Sequence, residues 1–191
     1  MPKIVDHDQR RLDIAHSAVK AVAKYGLERV KLEHVAEEAK CTTGSLMHFY
    51  PNKRDMLKAA MEVVMSSLGE RYEAAVDEPD LVKALCSVLP MDAARKREWK
   101  VWLSYWGGAA FKTHIRTRVH KFYDQNHIWV RTLLEGAIAR KEIRSDVDID
   151  AAADHLVGLT DGIGIRATLD SKAWSASEQI GYIRNYVKLL K

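Results

Sequence analysis

The chain has 191 residues, enough for one domain or two small ones with a sizeable core. Almost half of them are apolar, yet no apolar run reaches the length of a membrane span. The charged start MPKIVDHDQRRLD lacks the apolar core of a secretory signal, so a cytoplasmic location is expected. The net charge of +4 is uneven: residues 1–58 hold 11 Lys/Arg against 8 Asp/Glu, and the rest hold 19 against 18. Cys41 and Cys86 stand alone with no metal or redox spacing, so reduced thiols are expected and no cofactor is implied.

In chain order, residues 1–6 read as a loose arm. A helix follows from Asp8 to Tyr25 with Ile14, Ala15, Ala18, Val22 and Tyr25 on one side, closed by Gly26 as a C-cap. Lys31 opens a short helix striped by Leu32, Val35, Ala36 and Ala39. Three polar residues lead to a second short helix, Thr43 to Phe49, whose inward position is Leu46. Two helices this short and this tightly joined read as a helix-turn-helix that must lean on longer neighbours. Thr42, Thr43, Ser45 and His48 would project from the exposed face of the second helix. Pro51 stops it, Asn52 caps the next, and a long helix runs from Lys53 to about Val76.

The run C-T-T-G-S-L-M-H-F-Y-P-N-K (residues 41–53) resembles the DNA-binding motif of TetR-family transcriptional regulators. It carries the small-residue turn, the Gly, the buried Leu46, the aromatic pair Phe49-Tyr50 and the closing Lys53. Two positions depart from the pattern: Lys40 replaces the usual Gly and Met47 the usual Tyr. A non-glycine residue held at positive φ costs about 1–2 kcal/mol, so a differently shaped turn is expected at Lys40. Met47 removes one expected contact to phosphate or thymine methyl.

Beyond Asp77-Glu78-Pro79, a short helix is expected over Asp80–Leu89, ending at Pro90. The next, about Asp92–Ala110, holds Trp99, Trp102, Tyr105 and Trp106. Trp99, Trp102 and Trp106 are spaced i, i+3, i+7 and share one face, which suits either plain core packing or an aromatic-lined cavity. Gly107-Gly108 would loosen or break this helix. Residues 112–141 form a long helix with Val119, Phe122, Tyr123, Val130, Leu133, Leu134 and Ile138 inward. His114, His120 and His127 lie along it, but no pair has the i, i+4 spacing of a shared metal.

Asp148–Asp170 is the last long helix. Its G-I-G-I-R-A run mimics a dinucleotide fingerprint, but that needs a preceding strand, and the residues before it are helical. Gly158, Gly162 and Gly164 each cost a helix about 1 kcal/mol, so close packing should offset them. Gly158 and Gly162 share a face with Ile165 and Leu169, suited to a second copy of the chain. The tail, Ser177 to Leu190, closes the domain with Ile180, Ile183, Val187 and Leu190.

R-E-W-K-V-W-L-S-Y-W and the later L-T-D-G-I-G-I-R-A-T-L are similar to the C-terminal domain of BetI-type regulators, TetR-family repressors of choline and glycine betaine genes. That resemblance implies a quaternary ammonium effector such as choline.

The expected protein is therefore all-α, with about nine helices: a DNA-binding domain over 1–55 and a ligand-binding and dimerisation domain over 56–191. It would act as a repressor released from double-stranded operator DNA by a small molecule, located with the nucleoid, and not as an enzyme. Thr42, Thr43, Ser45, Met47 and His48 would face the major groove, and Arg10, Arg11, Lys31, Tyr50 and Lys53 the phosphates. Trp102, Tyr105, Trp106 and Trp129 would cage a cationic or aromatic effector, with Asp161 as counter-charge. Val130, Leu134, Gly158, Gly162, Ile165 and Leu169 would form the homodimer contact. No nucleophile–base pair appears; Asp154, His155 and Asp161 are the only cluster an enzyme could use. A helical ligand-binding or scaffold protein that no longer binds DNA is the rival, given Lys40 and Met47.

Overall fold

The computed structural model describes residues 6–191, so all of the expected arm 1–6 but Asp6, which caps the first helix, lies outside it. Nine helices and no strand are formed among the described residues: α1 His7–Arg29, α2 Leu32–Glu38, α3 Thr43–Phe49, α4 Lys53–Ala75, α5 Leu81–Cys86, α6 Ala93–Ala109, α7 Thr113–Ala139, α8 Ile149–Leu169 and α9 Ala176–Leu189. Most begin on a capping side chain. Asp6, Thr42, Asn52, Asp80, Asp92, Asp148 and Ser175 each accept from backbone N–H groups in the first turn. At α2 the ring nitrogen Nδ1 of His34 accepts from the Lys31 N–H at 3.2 Å instead. Lys112 offers α7 no side-chain cap.

The N-terminal core forms where the stripes of four helices meet. Ile14 and Ala18 of α1, Val35 of α2, Leu46 of α3 and Met56 and Ala60 of α4 are all fully buried. Gly26 takes φ 76°, which ends the regular part of α1 and turns the chain toward α2. Lys40 adopts φ 50°, so the α2–α3 turn keeps a left-handed residue and pays the side-chain strain rather than changing shape. The Cys41 N–H closes that turn on the Ala36 carbonyl at 2.9 Å.

Behind this head, α1 packs along both α4 and α6, and α6, α7 and α8 pack on one another while α9 lies against α5 and α8. The expected break at Gly107-Gly108 does not occur: α6 runs through both glycines to Ala109. Gly108 lets α6 approach its neighbours, since a Cβ there would stand 2.9 Å from Ile115 and 3.7 Å from Leu27. In α8, Gly164 is the glycine that close packing requires. A Cβ at this position would fall 2.0 Å from the Trp99 ring, whose indole N–H donates to the Val88 carbonyl at 2.9 Å. Gly158 and Gly162 instead meet nothing within 4 Å.

Gly164→Ala should therefore destabilise the fold by about 1–3 kcal/mol through overpacking. Gly107→Ala, on an exposed part of α6 with nothing within 4 Å, should stabilise it by about 0.5–1 kcal/mol. Urea unfolding followed by circular dichroism checks both signs.

Candidate DNA-reading head and effector cavity

Thr42, Ser45, Met47 and His48 are exposed on one side of α3, with Thr43 half-buried beside them. The Thr42 hydroxyl accepts from the Ser45 N–H at 3.1 Å. One lone pair thus serves the helix, and its hydrogen and second lone pair stay free to meet a base or phosphate. Lys31 is exposed at the start of α2.

Tyr50 does not stand where a phosphate contact requires. It is 2 % exposed, its hydroxyl donates to the Arg11 carbonyl at 3.0 Å, and Arg11 lies over its ring at 4.8 Å. It follows Leu46 by four residues, so the inward face of α3 continues through it. Arg10 donates to the Ala39 carbonyl at 3.2 Å and braces the end of α2. Lys53 Nζ donates to the Glu28 carbonyl at 3.0 Å, closing the end of α1 against the start of α4. Two ring pairs that sequence reasoning missed hold the head together: Tyr25 stacks on His34 at 3.9 Å, and His7 covers Phe49 at 4.6 Å.

In the second half, Trp99, Trp102 and Trp106 do line one cavity. Trp106 stands 5.8 Å from Trp99 and 6.0 Å from Trp102, and Phe122 packs 4.0 Å from Trp102. Leu68, Tyr72 and Val88 complete the apolar wall, and Arg71, Glu98, Asn126, Thr160 and Asp161 bring polar groups to it. The cavity measures about 30 Å³, room for a water or two, so a larger effector must part the rings.

Two residues expected in the cage lie elsewhere. Tyr105 is buried and points to α4, where its hydroxyl donates to the Leu57 carbonyl at 2.6 Å. Trp129 stacks on Tyr72 at 5.1 Å and presses on Gly69 from behind the cavity. Both are turned away because α7 and α6 meet α4 directly at these points.

The polar wall is the part that periodicity concealed. Arg71 and Glu98 form a half-buried ion pair across α4 and α6. Arg71 falls on the apolar stripe of α4 beside Leu68 and Ala75, and a charge on such a stripe is the signal that marks it. Tyr123 donates its hydroxyl to Asp161 Oδ2 at 2.7 Å. Burial pushes the Asp161 carboxyl up to about 6, against the lowering effect of that hydrogen bond. Burial and the Asp161 charge hold the Tyr123 phenol above its ordinary range, so it stays a donor. Arg71 Nε and Asn126 Oδ1 are buried with no hydrogen-bond partner among the described residues, an arrangement that calls for a polar guest.

Asp154, His155 and Asp161 do not come together but face separate partners. His127 bridges Asp154 at 2.9 Å and Asp150 at 3.3 Å, His155 meets the Tyr186 ring, and Asp161 belongs to Tyr123. On the outer face of α8, Gly158 and Gly162 are exposed, Ile165 is half-buried and Leu169 is 75 % exposed. Val130 and Leu134 are fully buried inside the chain's own core, so neither can meet a second copy. The apolar side chains exposed near the end of the fold are Tyr182 and Leu189 on α9. No helix among the described residues is long and apolar enough to cross a membrane.

Known proteins share this arrangement. The regulator PksA of Bacillus subtilis is 25 % identical over 175 residues, covering 89 % of this chain and 84 % of its own length. The regulator BetI of Yersinia pestis is 22 % identical over 196 residues, covering 98 % and 96 %. Among solved structures, a transcriptional regulator of Rhodococcus sp. Rha1 matches with a TM-score of 0.79 at 20 % identity, over 94 % of this chain and 95 % of that one. A transcriptional regulator of Saccharomonospora viridis, solved in complex with choline, matches with a TM-score of 0.74 at 21 % identity, over 95 % and 96 %. Residues 14–60 match the family described as bacterial regulatory proteins, tetR family, and residues 78–190 the one described as BetI-type transcriptional repressor, C-terminal. An exposed helix α3 in a helix-turn-helix head, an aromatic cavity among α4, α6, α7 and α8 and these two matches agree: the chain is a transcriptional regulator of the TetR family with a BetI-type C-terminal domain.

Proposed function

We propose that this regulator is a homodimeric repressor whose operator binding, carried by residues 1–55, is released when a small hydroxylated cation enters the aromatic cavity of residues 56–191. The observation that carries the effector class is the wall itself. Indole and phenyl faces attract a cation, Asp161 supplies a counter-charge beyond the Arg71–Glu98 pair, and the unpartnered Arg71 Nε donor suits a hydroxyl or carbonyl oxygen. Choline has both features, and the choline complex of the Saccharomonospora viridis relative supports the same class. Parting the rings would move α6, and the Tyr105–Leu57 bond would carry that movement to α4. Operator half-sites lie about 34–36 Å apart, so a small change in the spacing of two heads would cost one of them its contacts.

On the DNA side, Thr42, Thr43, Ser45, Met47 and His48 are the readers, and Lys31, Arg11 and Lys53 the phosphate partners. His48→Ala and Lys53→Ala should each weaken operator binding, and Lys53→Ala should lower the salt slope by about one unit. Tyr50→Phe should leave that slope unchanged and cost about 1 kcal/mol of stability, because it removes an internal hydrogen bond. Gel shifts with the upstream region of the chain's own gene, at two salt concentrations, separate these outcomes. Unchanged binding by both alanine variants, with the fold intact, would sink the assignment, and no shift by the original protein would favour one that has lost DNA binding.

The effector reading has its own pH signature. Asp161 loses its proton near pH 6, so a cation should bind more tightly as pH rises through that value. The gain between pH 5 and 7 should approach tenfold in Kd and then level off. Tryptophan fluorescence titrated with choline measures it, and Asp161→Asn should flatten the profile. A profile that is flat in the original protein, or tighter binding of fatty or anionic compounds, would remove the cation.

The dimer would form through the open face of α8, at Gly158, Gly162, Ile165 and Leu169, extended by Tyr182 and Leu189 of α9. Gly162→Leu should then give monomers at micromolar concentration in sedimentation velocity. A variant that remains dimeric would place the contact elsewhere.

A further inference from the structure

A second recess, of about 370 Å³, lies between the DNA-binding head and the C-terminal helices. It is far larger than the aromatic cavity and within the size range of small-molecule sites. Its rim carries Lys53, Arg54 and Lys58 from the first turns of α4, and Lys112, His114 and Arg118 from the start of α7. Among the described residues that line it, Glu28 is the only carboxylate, and Lys112 already pairs with it at 2.7 Å. Lys58 reaches Glu62 at 3.5 Å, in an exposed pair of little strength. Arg54 and Arg118 make no ion pair among the described residues.

Two further features separate this recess from an ordinary basic surface. Leu27, Leu57, Ile115 and the Tyr105 ring form an apolar floor. And α7, a helix of 27 residues, opens onto the recess without a side-chain cap, leaving the Thr113 and His114 amides and the partial positive charge of the helix start available, while the Lys112 and Ile115 N–H groups donate to the Gly108 and Lys112 carbonyls. A cationic rim over an apolar floor matches a ligand with a charged end and a greasy body. It suits a DNA backbone poorly, because a phosphodiester chain has nothing to place on the floor.

We propose that this junction is a second small-molecule site, which takes an organic anion with a phosphate or carboxylate head and a short apolar or aromatic body. The head meets Arg54, Arg118 and the open amides of α7, and the body lies on Leu57 and Ile115. Since Lys53 stands on the same rim, an occupying anion competes for positive charge with an operator phosphate. That last coupling rests on the DNA-contacting reading of Lys53; the binding itself does not.

Isothermal titration calorimetry on the full-length chain with phenyl phosphate, inorganic phosphate and benzyl alcohol, at fixed ionic strength, tests it. Phenyl phosphate should saturate at one per chain, inorganic phosphate should bind at least about tenfold more weakly, and benzyl alcohol should not bind. Arg118→Ala should weaken phenyl phosphate by about tenfold or more, the usual effect of losing one charge-assisted bond, with the unfolding midpoint unchanged. Heats that do not saturate, equal binding of inorganic phosphate, or indifference to Arg118→Ala would overturn the site. So would weaker operator binding by Arg118→Ala with a lower salt slope, which would assign the rim to the DNA backbone. In gel shifts, phenyl phosphate should weaken operator binding by the original protein and not by Arg118→Ala. Loss of this effect alone, with the calorimetry intact, would overturn only the competition.

Discussion

The hydrogen bond from the Tyr105 hydroxyl to the Leu57 carbonyl ties the helix that enters the N-terminal head to the helix that walls the aromatic cavity. Leu57 lies one turn into α4, the helix that begins in the DNA-binding head and ends on the cavity wall at Arg71 and Tyr72. Tyr105 lies on α6 between Trp102 and Trp106, which form that wall from the other side. Burial holds the Tyr105 phenol well above its ordinary range, up to about 12, so the donor persists across the physiological range. Because α1 also packs against both α4 and α6, the head has few ways to respond to the cavity except as a rigid unit. A packed contact of this kind switches between arrangements more readily than it stretches.

The cavity is a compromise between packing and polarity. Three indoles and a phenyl ring would give a well-filled core, yet Arg71, Glu98 and Asp161 are set among them. The ion pair neutralises two of these charges at the expense of their desolvation. Asp161 is hydrogen-bonded by the Tyr123 hydroxyl, and burial still holds its carboxyl above the ordinary range. The same raised pKa makes the fold itself lose stability as pH climbs from the ordinary carboxylate range through 6, opposite in sign to the gain in affinity for a cation.

Much of this architecture was legible in the sequence, and the reasons are local. Gly26, Pro51, Asn52 and Asp148 mark helix ends through rules that need no tertiary information, and Leu46 and the α4 stripe obey a 3.6-residue period. The failures come where one residue type serves two environments. Tyr50 carries a hydroxyl that suits a phosphate or a buried carbonyl equally, and only its i+4 relation to Leu46 tells them apart. Val130 and Leu134 lie on a helix with apolar residues on two faces, and the sequence does not say which face the chain keeps for itself. Arg71 and Glu98 are 27 residues apart, and nothing in either neighbourhood names the other.

Lys40 has a consequence for the order in which the molecule comes apart. Its left-handed backbone stores roughly 1–2 kcal/mol in a turn between two seven-residue helices, neither able to persist alone. Local opening free energies in a protein run from near zero to the global value, and strain of this kind lowers the local threshold. The α2–α3 unit is therefore set to open more readily than the long helices, with amides that exchange before those of α8. Operator DNA, by binding only the closed form, would raise that threshold, so the reading head reaches its full rigidity on the DNA it reads.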